Sequence, residues 1–100
     1  MTIITFVLEA EEEMNISAQY YNQQASGLGL DFLKKIEKSL EYILKDPERW
    51  PIAYKNIHKY NIRRFPFSLY YVFEKNKDKI IILAVAHQRR KPEYWKKRIK

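Results

Sequence analysis

The chain has no cysteine, which removes disulfides, thiolate nucleophiles and thiolate zinc sites together and suits a reducing compartment. Glycine is nearly as scarce. The two present, Gly27 and Gly29, fall short of a phosphate-cradling loop: no strand precedes them, and neither a third glycine nor a Gly-Lys-Ser/Thr follows. His58 and His87 lie far apart in sequence without a cluster of further ligands, so neither a metal site nor a cofactor is expected. No apolar run is long enough to span a bilayer. The opening MTIITFVLEAEEEM lacks a cationic leader and runs straight into four glutamates, so the expectation is a soluble cytoplasmic protein with no membrane partner. Repeats and linkers are missing too, and residues 1–100 read as one domain large enough to bury a real core.

What is present is an uneven charge. The net +7 divides into −4 over residues 1–50, where 5 Lys and Arg meet 9 Asp and Glu, and +11 over residues 51–100, where 14 meet 3. A basic second half attracts phosphate backbones or acidic protein segments, although lysines carried only for solubility give the same count. The densest stretch is HQRRKPEYWKKR, His87 to Arg98, which follows an unbroken apolar run.

The period of the apolar residues changes along the chain. IITFVL, residues 3–8, reads as a strand. Ala10, Met14, Ala18, Tyr21 and Ala25 then recur at helical steps behind Glu9, Glu11, Glu12 and Glu13, whose charges suit a helix N-terminus and read as structural. Ser26-Gly27-Leu28-Gly29 breaks that helix, and Leu30, Leu33, Ile36, Leu40, Ile43 and Leu44 mark a second helix ending near Asp46-Pro47. Beyond Trp50-Pro51, residues 54–58, 61–65, 69–73 and 80–87 read as strands, with a turn at 75–78. The fold class is therefore α+β: an N-terminal strand and a two-helix hairpin packed on a mainly antiparallel sheet of four to five strands. Ile80 to Ala86 is apolar on both alternating sides, yet two helices cover only one face, so the C-terminal segment or another polypeptide is expected to cover the other.

Residues 62–98 resemble the ParE/RelE superfamily of toxins from bacterial type II toxin–antitoxin systems. RRFPF, an aromatic strand and AVAHQRRKPEYW together form the pattern of plasmid-stabilisation-type members. The initial strand, the EAEEEM helix start and YYNQQASGLGLDFLKKIEKSLEYILKDPERWP follow the usual order, so the resemblance covers essentially the whole chain. It implies a small basic toxin neutralised by a cognate antitoxin that covers apolar surface and offers carboxylates, as a homodimer or as a toxin–antitoxin hetero-oligomer.

The resemblance leaves two activities open. ParE-like members bind DNA gyrase and need no catalytic residues of their own. RelE-like members cut mRNA on the ribosome without a metal, and for that role the candidates are His87 as general acid or base, Arg64, Arg89 and Arg90 as phosphate clamps, and Tyr94 as stacking or proton-donating group. Such nucleases carry an arginine on the central strand where this chain has Ser68, which favours a protein target, gyrase or another, over cleavage. The expected target-binding set is Arg64, His87, Arg89, Arg90, Lys91, Tyr94 and Trp95. A nucleic-acid-binding module is the remaining alternative. His87 reads equally well as a structural residue. Of the adjacent Tyr94 and Trp95, one is expected to pack on the sheet and the other to stay available. If residues 61–65 form a strand, only one of Arg63 and Arg64 shares a face with His87.

Overall fold

The computed structural model describes residues 1–91 and 93–98. Its elements are β1 (Ile3–Phe6), α1 (Leu8–Gln24), α2 (Leu28–Lys45), β2 (Ile52–Tyr54), β3 (Ile57–Asn61), β4 (Phe67–Glu74), a 3-10 turn (Lys75–Lys77), β5 (Lys79–His87) and α3 (Glu93–Lys96). The five strands form one sheet in the order β1-β5-β4-β3-β2. All pairs are antiparallel except β1 with β5.

The helix hairpin is set by its break. Gly27 takes φ 84°, which a residue without a β-carbon adopts freely, and its N–H donates to Asn22 Oδ1 at 3.0 Å. Gly29, inside α2, lies so close to the Ala18 carbonyl of α1 that a β-carbon there has no room. This contact pulls the two helices together. Phe32, Ile36 and Ile43 of α2 then pack on Leu69, Tyr71, Ile80 and Ile82 of the sheet. Leu30 and Leu44, expected on that apolar face, are instead exposed, as are Tyr20 and Tyr42.

β4 and β5 pair over their whole lengths, with an irregularity between Tyr70 and Tyr71. The turn joining them carries Asp78 at φ 49°. Asp78 accepts a hydrogen bond from the Thr2 hydroxyl and faces the N-terminal ammonium at 3.4 Å, while its carbonyl accepts from Ile3 N at 3.0 Å. These contacts seat β1 on the outer edge of β5.

The second face of the sheet has its own core of Ile57, Tyr70, Val72, Leu83, Ala84 and Ala86, closed by Trp95. The C-terminal segment therefore supplies the expected cover. Trp95 is 1% exposed and stacks on Tyr70 with centroids 4.1 Å apart, so it is the anchor of the Tyr94–Trp95 pair.

The strands before β4 are placed differently from the sequence reading. The expected strand at 54–58 is interrupted at Lys55, which takes φ 50°, so it divides between β2 and β3. The expected strand at 61–65 is not formed: β3 ends at Asn61, and residues 63–66 are a bend with Arg64 at φ 73°. Pro66 lacks a ladder donor, and Phe67 N–H turns back to the Phe65 carbonyl at 2.8 Å. Arg63 and Arg64 consequently do not alternate on a strand.

Candidate functional site

β5 outruns its neighbour. β1 pairs with it only as far as Phe6 opposite Ile82, which leaves polar backbone at Leu83 and Val85 without a strand beside it. Side chains complete this edge. Glu13, from the second turn of α1, accepts a hydrogen bond from Val85 N at 3.0 Å through Oε1. Arg98 Nη1 donates to the Leu83 carbonyl at 2.9 Å. The two side chains also meet as a fork, Nη1 to Oε1 and Nη2 to Oε2, both at 3.0 Å. Their side chains are 16% and 14% exposed, so this pair is largely desolvated. Burial works against the Arg98 charge, but the hydrogen bonds and carboxylate of Glu13 outweigh it and raise its pKa.

The same carboxylate also faces Arg90. Arg90 Nη1 lies 4.0 Å from Glu13 Oε2, and its guanidinium sits 3.7 Å from the centre of the Tyr94 ring, with that of Arg98 at 5.1 Å. Tyr94 is thus flanked by two cations. Its hydroxyl is buried with no hydrogen-bond partner among the described residues. Burial first, then the Glu13 carboxylate, pushes its pKa up to about 12 against the opposing pull of Arg90 and Arg98. A phenol so placed is a poor proton donor near neutrality.

His87 ends β5 opposite Phe67, and the rings meet edge to face at 5.2 Å. Its Nδ1 accepts from Arg89 N at 3.1 Å, so the neutral ring carries its proton on Nε2. Arg89 and Lys91 are exposed. Arg64 is placed in a different cleft, with Lys34, Lys35 and Lys38 of α2, whereas Arg90, Lys91 and Tyr94 line one of their own. The seven expected site residues do not share one cleft: Arg90, Lys91 and Tyr94 line one, Arg64 lines another, and Trp95 is core, while Gln88 N–H donates to the Pro66 carbonyl at 2.8 Å and so holds the Arg63–Pro66 bend beside His87. Ser68, on the central strand, is 0% exposed and donates to Asn61 Oδ1 at 2.7 Å. His58 is structural, its ring stacked on Tyr71 and its Nδ1 2.7 Å from the Trp50 carbonyl. Sequence reasoning missed Glu13 as the hub of the tail, because its partner lies 85 residues away. The only local signal was one acid more than a helix start needs.

The sequence matches the family described as ParE toxin of type II toxin-antitoxin system, parDE, over residues 4–92. The chain belongs to this family, and is a toxin of the ParE/RelE type from a toxin–antitoxin system. Solved structures share the fold at low identity. A chain of the chromosomal ParDE toxin–antitoxin system from P. aeruginosa is 14% identical, with a TM-score of 0.75 over 87% of this chain and 96% of that one. The intact E. coli RelBE toxin–antitoxin complex contains a chain 15% identical, with a TM-score of 0.62 over 90% and 100% of the two. The isolated E. coli RelE toxin is 17% identical, with a TM-score of 0.61 over the full length of both. No curated protein sequence matches the chain.

Proposed function

We propose that this toxin arrests growth in the cytoplasm by binding a protein target, DNA gyrase first among them, and that a cognate antitoxin holds it inactive. The carrying observation is Ser68, a buried serine bonded to Asn61 at the central-strand position where a phosphate-clamping cation is needed. Metal-free cleavage of mRNA needs cations and a proton carrier converging on one phosphate, because the charge that develops in the transition state must be met by groups already in place. Here Arg64 lies with α2, Arg90 is shared between Glu13 and the Tyr94 ring, and the central strand offers a buried serine. A surface that works by binding has no such requirement.

Two features support an antitoxin partner. The second half of the chain is strongly basic, and Leu8, Ile16, Tyr20 and Leu30 expose large apolar side chains on the helix hairpin. An acidic, partly apolar polypeptide answers both. The direct test is supercoiling by purified gyrase. The chain is expected to inhibit it in proportion to its concentration, and added antitoxin to restore it; undiminished supercoiling at a large excess of the chain would remove gyrase as the target.

A further inference from the structure

The tail is the most basic stretch of the sequence, but much of its charge is already engaged. Arg90 and Arg98 both turn to Glu13. Lys96 pairs with Glu93 at 3.8 Å and lies 4.3 Å from the centre of the Tyr54 ring. Open cationic surface is found instead along α2, where two clefts lie on either side of the Arg63–Arg64 bend.

The first cleft, about 490 Å³, is lined by Lys34, Lys35, Lys38 and Arg64, with Asp31 as its one carboxylate. The second, about 290 Å³, is lined by Lys45, Arg49 and Arg63 beside the aromatic rings of Trp50 and Tyr42, with Asp46 as its carboxylate. Lys38 links them, its Nζ 5.6 Å from the centre of the Tyr42 ring. The left-handed conformation of Arg64 matters here, because it lets two adjacent arginines serve different clefts. Neither arginine has an ion-pair partner among the described residues. Seven cations therefore meet four carboxylates, Asp31, Glu37, Glu41 and Asp46, with Glu41 paired with Lys38 at 3.7 Å.

Spacing selects the ligand. Lys34, Lys38 and Lys45 recur at steps of four and seven and so share one stripe of α2, about 16 Å long at about 1.5 Å per residue. Over that length a DNA duplex presents roughly nine phosphate charges in a fixed array. An acidic peptide would have to be ordered to match both clefts at once, at an entropic cost the duplex does not bear. Guanidinium forks and exposed lysines contact phosphate oxygens without reading bases.

We infer that the face formed by α2 and the Arg63–Arg64 bend binds the phosphate backbone of duplex DNA independently of sequence. This surface adjoins the start of the tail, where Gln88 N–H donates to the Pro66 carbonyl at 2.8 Å, and its role does not depend on which protein the toxin arrests.

Fluorescence anisotropy of the full chain with a labelled 20-base-pair duplex tests it. For about four phosphate contacts, affinity should fall roughly 150-fold between 50 and 200 mM salt. Arg63→Ser with Arg64→Ser should reduce that fall to about tenfold, and Lys34→Ser with Lys38→Ser should do the same. The control pair Lys75→Ser with Lys77→Ser, on the β4–β5 turn, should leave the salt dependence unchanged. The inference is overturned by absence of binding at 50 mM salt, by an equal effect of the control pair, or by a poly-glutamate peptide that competes as well as the duplex.

Discussion

Glu13 shows how much one residue's meaning depends on the fold. In sequence it is one of four glutamates at a helix start; in the structure it closes the free edge of β5 and holds two arginines. Replacing it with alanine leaves a largely buried guanidinium and the Val85 N–H without their acceptor. The expected loss is about 3 kcal/mol, in the range for breaking a buried ion pair from one side. Glu13→Gln keeps an oxygen for Val85 and should lose less. Urea unfolding of the two variants measures the difference, and a Glu13→Ala variant within 1 kcal/mol of the parent, roughly the ceiling for an exposed pair, would show that the tail is held by Trp95 alone.

Tyr94 carries the pH dependence at the same scale. Its pKa is raised to about 12 in the folded chain from about 10 for a free phenol. The neutral form is therefore favoured by folding, and the associated stability is fully present below pH 10 and lost as pH rises toward 12. Tyr21, Tyr70 and Tyr71 are shifted in the same direction by burial and add to the slope. Thermal unfolding between pH 9 and 12 should show a falling midpoint, with a shallower fall in Tyr94→Phe. An identical slope in that variant would contradict the burial of its hydroxyl.

Among the elements, the helix hairpin was legible because two signals coincided: a change of apolar phase and the paired glycines. The use of those glycines was not legible. Gly29 reads as part of the break, yet it is the second residue of α2 and a contact point with α1. At an ordinary helical site Gly→Ala gains up to about 1 kcal/mol. Here the new methyl meets the Ala18 backbone, which cannot move aside as a side chain could, so a loss of roughly 1–3 kcal/mol is expected. Circular dichroism melts of Gly29→Ala decide the sign.

β3 was misplaced for a related reason. Ile62 and Phe65 suggest a continuing strand, but the consecutive Arg63 and Arg64 between them already break the alternation of two. The Pro66 signal, which forbids a ladder donor, adds to this. The parallel seat of β1 on β5 was invisible because it is made by the Asp78 turn, 75 residues after β1 begins.

For the molecule as a whole, the charge asymmetry was legible and its distribution was not. The acidic half places Glu13 on the basic tail, so the run from His87 to Arg98 is partly neutralised from within. Arg90, read as a phosphate clamp, lies 4.0 Å from Glu13 Oε2 with its side chain still 58% exposed. Ser68 is on the central strand as the sequence reading has it, and its burial removes the side chain from any ligand. The family and the fold agree on a toxin, and our proposal is that it acts by binding. The most direct measurement is to induce the chain without antitoxin, follow growth, and map the 5′ ends of cellular RNA, beside the same experiment with His87→Ala. Growth should stop in both strains without new RNA ends phased to codons. Codon-phased ends that appear with the parent chain and vanish with His87→Ala would contradict the account and make the chain a ribosome-dependent nuclease.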